Sequence, residues 1–280
     1  MMKNFSMKRL FLCFITLIFA ISLTQQVANS EMLTGGINTN EVKRNFCTVI
    51  DKSTRKPVPN AKVTVPSNGF SAYTDVNGHF ELKTIITKPT ILSVEKQNYK
   101  PFSMTINRSG FSFVIEIEAS SPFDISLETQ MCHLGDDNYS EASASASRFR
   151  GRSIGSVFSK TFFIGKPANN GDQYLVFGSI IGIDTALARG MGQNHITTSF
   201  ASPPSVYLNG QKIAEIQING DNQKIRLPKQ LIKYNQNNTI TIKAGRNLMQ
   251  RAYVDYDDFE FMNLSIQSVN PSYGTVSKRY

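Results

Sequence analysis

The chain has 280 residues, 40% of them hydrophobic and 18% charged, with 30 Lys+Arg against 21 Asp+Glu, three cysteines and no tryptophan. There is enough apolar content for a core in each of two domains, which excludes wholesale disorder, and no segment reaches the roughly 20 apolar residues that a membrane-spanning helix needs. The basic excess is mild and spread along the chain, as a solvated surface would be, and no nucleic-acid partner is expected.

Residues 1–30 read as a signal peptide. Lys3, Lys8 and Arg9 precede the apolar run Leu10 to Leu23, and Ala28 and Ser30 stand at the small-residue spacing of a cleavage site. The run fits a signal h-region and is short for an uncleaved anchor. Phe11 and Leu12 are too bulky for a lipid-attachment motif at Cys13. Cleavage after Ser30 removes three positive charges and no acid, which takes the net charge from +9 to +6. The mature protein is expected in the periplasm, on the cell surface or in the medium. Two cysteines then remain, Cys47 and Cys132, which read equally well as one disulfide or as two separate buried thiols.

After a linker at 31–45, residues 46–119 read as a first domain of short antiparallel strands. In Ala61-Lys62-Val63-Thr64-Val65 and in Phe80-Glu81-Leu82 the apolar side chains alternate with polar ones, so one face of each strand is buried. Asn68-Gly69 and Asn77-Gly78 each predict a hairpin turn, because both residue types tolerate positive φ. The stretch Val49-Ile50-Asp51, Thr54 and Lys56-Pro57-Val58-Pro59-Asn60-Ala61-Lys62-Val63, then Thr74-Asp75-Val76-Asn77-Gly78-His79-Phe80-Glu81-Leu82, then Ile91-Leu92-Ser93-Val94 to Asn98-Tyr99-Lys100, resembles the carboxypeptidase regulatory-like domain. That family is a prealbumin-like Greek-key β-sandwich. Cys47 and Asn98 stand where the family has glycine; Asn is the next-best residue for a left-handed backbone. The resemblance implies a non-catalytic domain.

Residues 122–268 read as a second all-β domain, with Ser140 to Ser147 a loop and 269–280 a polar tail. Val206-Tyr207-Leu208, Ile213 to Ile218 and Ile225-Arg226-Leu227 are predicted to form a meander turned by Asn209-Gly210 and Asn219-Gly220. Ile240 and Ile242 mark another strand. Phe259 and Phe261, then Leu264 and Ile266, mark a last strand whose inward phase slips once, as at a bulge. Leu227 to Tyr234 is a weak candidate helix. The stretches Phe200 to Gly210, Asn238 to Gly245, Asp255 to Phe261 and His133-Leu134-Gly135-Asp136-Asp137 resemble the galactose-binding-like jelly roll of carbohydrate-binding modules.

Acids supply the main constellation. Asp136 and Asp137 open the second domain and Asp255, Asp257 and Asp258 precede its last strand. First and last strands of a jelly roll run side by side, so these five carboxylates are expected to converge on a structural calcium ion; the alternative is separate turn-capping aspartates. A sugar ligand needs an aromatic platform and planar polar groups, which Tyr139, Tyr253 and Tyr256 with Arg189, Gln193 and Asn194 would offer, the last three from the loop Gly182 to Asn194. Arg148, Arg150 and Arg152, spaced by two, would share one side of a strand. His79, His133 and His195 are scattered, with no zinc-binding spacing, and read as surface or turn residues.

The expectation is therefore an exported, non-catalytic, all-β protein that recognises carbohydrate or another surface polymer. One alternative is a structural or adhesive envelope protein that binds another protein. The weakest is a glycoside hydrolase using paired aspartates.

Overall fold

Alternating side chains set the strand faces in the computed structural model, which describes residues 46–110, 112–166, 171–194 and 199–269. The expected signal peptide, linker and tail fall outside the described residues, apart from Val269 at the end of the last strand.

The first sandwich is built from β1 (Phe46–Asp51), β2 (Lys62–Val65), β3 (Phe70–Tyr73), β4 (His79–Glu81), β5 (Thr90–Glu95), β6 (Phe102–Ile106) and β7 (Val114–Ile117). Its sheets are ordered β4-β1-β7 and β3-β2-β5-β6, with β1 and β7 parallel. Val49, Val63, Phe80, Leu92 and Ile115 fill the space between them.

The second sandwich holds β8 (Ile125–Glu128), β9 (Cys132–Leu134), β10 (Val157–Ile164), β11 (Asp172–Ile181), a five-residue helix α1 (Ala186–Gly190), β12 (Ser205–Leu208), β13 (Gln211–Glu215), β14 (Gly220–Arg226), β15 (Gln236–Lys243) and β16 (Phe259–Val269). One sheet runs β10-β15-β12-β13; the other runs β14-β11-β16-β8, with β9 also on β16. Phe158, Phe177, Val206, Ile240 and Phe261 meet between them. The all-β expectation holds. Leu227 to Tyr234 contains only a 3₁₀ turn at Lys229–Leu231, and the one α-helix among the described residues lies in the segment read as the loop Gly182 to Asn194. No helix among the described residues is long and apolar enough to cross a membrane.

Two turn expectations need correction. Asn68-Gly69 and Asn209-Gly210 do close hairpins, with both central residues of the latter at positive φ (51° and 84°). Asn77-Gly78 and Asn219-Gly220 instead carry the chain from one sheet to the facing one, since β3 and β4, like β13 and β14, lie in different sheets. Side chains explain the difference. Asp75 accepts from the backbone N–H groups of Asn77 and His79. Asn219 accepts from Ile183 N–H at 2.7 Å and donates to the Ile183 carbonyl, which pins the crossing to the far sheet. The predicted three-strand meander is therefore one hairpin followed by a crossing.

The two sandwiches share a face and belong to one compact unit. Along β5, Leu92 and Val94 enter the first core, while Ile91 points the other way onto Ile181 and Met262 of β11 and β16. The predicted phase slip in β16 falls at Asn263, whose φ is 58°; against β8 the register shifts between Leu264 and Ser265. The slip turns the Asn263 amide outward, where it donates to Ser93 Oγ (2.9 Å) and to the Phe102 carbonyl (2.7 Å) of the first sandwich. Gly178 lies on β11 between the residues that pair with Leu264 and Met262, and a Cβ there would come within 2.3 Å of Ser103 Oγ. Asp221 completes the junction by accepting from the Thr105 backbone and hydroxyl. Sequence patterning assigned no strand to β11, which is buried on both faces along most of its length and so lacks alternation, nor to β10, although β10 does alternate.

Cys47 and Cys132 are buried thiols in the cores of different sandwiches and form no disulfide, so the disulfide alternative is not realised.

Candidate functional site

Antiparallel pairing of β9 with β16 (Leu134 opposite Phe259, His133 opposite Glu260) brings the segment after β9 against the segment before β16. The aspartates of these two segments therefore flank neighbouring strands. Gly135 makes the approach possible: a Cβ there would fall 2.2 Å from Asp258 Oδ1.

Donors meet most of these acids. Asp258 Oδ1 accepts from His133 Nε2 (2.8 Å) and Asp137 N–H (3.0 Å), and its Oδ2 accepts from Ser145 Oγ (3.0 Å). Asp255 is held by Asn138, Ser143, Ala144 and Asn247. Asp136 accepts the backbone N–H groups of Asn138 and Tyr256, and Asp137 that of Ser153. Of the five expected calcium ligands, only Asp257 keeps an oxygen with no hydrogen-bond partner, Oδ1. A metal-capable trio of different membership, His133, Asp137 and Asp258, does converge.

His133 is not a surface or turn residue. It is 4% exposed, and its Nδ1–H donates to the Gly151 carbonyl at 2.8 Å. With acceptors at both ring nitrogens, the doubly protonated ring satisfies both contacts. Burial opposes that charge, but the hydrogen bonds to Asp258 and Gly151 outweigh it and raise the His133 pKa. Burial likewise raises Asp136.

The Ser/Ala-rich stretch, expected to be a plain loop, supplies Ser143 and Ser145 to this acidic nest. Small residues there let the backbone approach the carboxylates, and that composition is the one signal that could have found them. Asp184 and Glu260 were missed altogether. Glu260 is 1% exposed, and neither carboxylate oxygen has a hydrogen-bond partner. It lines a cavity of about 80 Å³ with Lys88, Ser147, Phe149 and Arg150, and burial pushes its pKa up to about 7. Arg148, Arg150 and Arg152 lie in a loop, not on a strand.

The expected ligand residues form two groups, with no hydrogen bond or ring contact between them among the described residues. In one, Tyr139 is half-buried with the Arg148 guanidinium 5.8 Å from its ring centre. Tyr253 accepts from Asn138 at 3.4 Å, and Tyr256 is tied to Asp136 through its backbone. In the other, the Arg189 guanidinium stacks 4.4 Å over Phe200, Gln193 pairs with the Asn219 backbone, and Asn194 is buried.

A larger opening was not expected. It measures about 630 Å³ and lies where the β2–β5 end of the first sandwich meets the β8–β16 edge of the second. Tyr73 and Tyr99 line it with Asn60, Asn98, Lys62 and Gln267. Tyr73 is 61% exposed. Residues far apart in the chain build this cleft, so no local motif announces it.

Residues 47–128 match the CarboxypepD_reg-like domain family. This prealbumin-like domain accounts for the first sandwich, and the match runs on through β8, a strand hydrogen-bonded into the second. No curated protein sequence matches the chain. A solved structure described as a "putative carbohydrate binding protein" from Bacteroides uniformis ATCC 8492 is 12% identical, over 80% of this chain and 97% of its own, with a TM-score of 0.21, a value that does not establish a common fold.

Proposed function

We propose that this chain is an exported, non-catalytic binding protein that recognises carbohydrate or another cell-surface polymer, and that its second sandwich is a galactose-binding-like jelly roll. The observation that carries the reading is the cleft between the sandwiches. It sets two tyrosine rings beside amide and ammonium groups, the combination that covers the apolar CH face of a sugar and meets its hydroxyls. The acids that a glycosidase reading would use support a binding role instead: Asp257 is fully buried, and both Asp136 oxygens are taken by backbone N–H groups.

A glycan array followed by calorimetry tests this. Binding of at least one polysaccharide is expected, with Tyr73→Ala weakening it about tenfold, the equivalent of roughly 1.4 kcal/mol, at unchanged melting temperature. Absence of binding across the panel, or appearance of cleaved products, would overturn it.

A second reading, an adhesive protein that binds another protein, draws on a different surface. Helix α1 and the loop after Asn247 both adjoin Phe200 and expose Leu187, Met191, Leu248 and Met249. Loss of capture of an envelope protein on Met249→Glu, with glycan binding intact, would favour it.

A further inference from the structure

Glu260 stands on the face of β16 that meets the first sandwich. Its neighbours Phe259 and Phe261 enter the second core, so alternation sends Glu260 and Met262 the other way, and Met262 packs against Ile91 of β5. Across the β11–β16 pair Glu260 lies opposite Ile181, which belongs to the same contact. The cavity of about 80 Å³ that Glu260 lines is therefore built by both sandwiches. Lys88, Pro89 and Thr90 come from the first, and Phe149, Arg150 and Ile181 from the second. Lys88 and Arg150 are exposed and give the cavity a cationic rim at the surface, whereas Glu260 is 1% exposed.

Neither Glu260 oxygen has a hydrogen-bond partner. The nearby donors are engaged elsewhere. Both ring nitrogens of His133, the residue opposite Glu260 on β9, serve Gly151 and Asp258, and Lys88 Nζ donates to the Arg148 carbonyl.

A buried carboxylate without donors calls for a ligand that brings them. An ammonium group carries three N–H donors and the opposite charge, and the Phe149 ring in the same lining attracts a cation. The rim has the reverse preference, since Lys88 and Arg150 both favour a carboxylate. A neutral polyol would meet the donors and acceptors but neither charge. At roughly 10–15 Å³ per water-sized group, the cavity takes about five to eight non-hydrogen atoms.

We propose that this junction cavity binds a small zwitterion, a free α-amino acid of glycine or alanine size, with its ammonium group on Glu260 and its carboxylate on Lys88 and Arg150. The site lies apart from the cleft at Tyr73, and it stands or falls independently of what that cleft binds.

Calorimetry and thermal melting of the full-length protein with glycine, alanine and leucine test this, with methylamine, acetate and glycerol as partial ligands. Glycine or alanine is expected to bind with a Kd of about 10⁻⁵–10⁻³ M and to raise the melting temperature. Leucine and each partial ligand should bind at least tenfold more weakly. Glu260→Gln should weaken glycine binding at least tenfold. Arg150→Ala, an exposed loop change that keeps the proposal testable should the Glu260 variant fail to fold, should weaken it about fivefold at unchanged melting temperature of the unliganded protein. No heat and no thermal shift with glycine or alanine would overturn the proposal. So would glycerol or acetate binding as tightly as glycine, or glycine binding that survives both substitutions.

Discussion

Asp51 of the first sandwich and Asp184 and Glu260 of the second are treated in opposite ways. In the first, Asp51 accepts from the backbone and hydroxyl groups of both Ser53 and Thr54 at 2.7–2.9 Å, and these hydrogen bonds, led by the Thr54 N–H, hold its carboxyl well below the usual carboxylate range. In the second, Asp184 and Glu260 are buried with no donor at their side-chain oxygens, and burial pushes both up to about 7. An acid that closes a turn strengthens the fold directly. An acid sealed in an interior weakens it unless a proton or a cation neutralises the charge.

The largest test of this contrast is Asp258→Ala, which takes away the buried carboxylate that accepts from His133, the Asp137 N–H and Ser145. It is expected to destabilise by about 3–5 kcal/mol in urea unfolding, as breaking a buried pair does. Asp75→Ala in the first sandwich removes only a turn cap and should cost about 1 kcal/mol. Equal losses would erase the distinction.

Next in size, Asn263→Ala removes two hydrogen bonds between the sandwiches and should cost about 1–3 kcal/mol. Calorimetry should show one melting transition for the wild type and a broadened or split one for the variant. A single sharp transition in the variant would place the coupling in the apolar contact of Ile91 with Ile181 and Met262 instead.

Acidity separates the two regions by sign. The Glu260 pKa is higher in the folded chain than its ordinary 4.5, so its contribution is fully present below that value and is lost as pH rises through about 7. Glu260→Gln should flatten that decline and leave the variant more stable than the wild type at pH 8. Asp51 is shifted the other way, so its contribution is present above the ordinary carboxylate value and disappears as pH falls into the acid range. Asp51→Asn should lower stability at neutral pH and shrink the acid-side loss. Urea unfolding across pH measures both.

The smallest effect concerns the thiols. Burial raises the Cys47 pKa and pushes Cys132 up to about 12. Neither should react with a thiol reagent until the chain unfolds, and a reductant should leave the melting temperature unchanged.

Much of this architecture was legible in the chain. Strands exposed on one face showed themselves by alternation, as at Val63 and Val65 or Ile240 and Ile242, and the family pattern located the first sandwich. The aspartates beside β9 and β16 were foreseen as neighbours. Their hydrogen-bond partners were not: the small residues around Ser143 and Ser145 hinted at a close approach without saying to what, and nothing in its segment set Asn247 apart. Asp184 and Glu260 gave no warning at all, since an isolated acid in a strand or loop is ordinarily solvated.

By itself, the sequence determined which residues prefer strands and where the backbone can turn, because both follow from local sterics and from the period-two pattern of burial. The Asn-Gly pairs at 68–69, 77–78, 209–210 and 219–220 each marked a turn, but only the packed sheets decided that two close hairpins while two cross the sandwich. Only the packing of one sandwich on the other opened the cleft at Tyr73, and only the folding of the second sandwich's own loops sealed Asp184 and Asp257 away from water. Burial and long-range pairing are properties of the assembled chain, and no stretch of neighbouring residues encodes them alone.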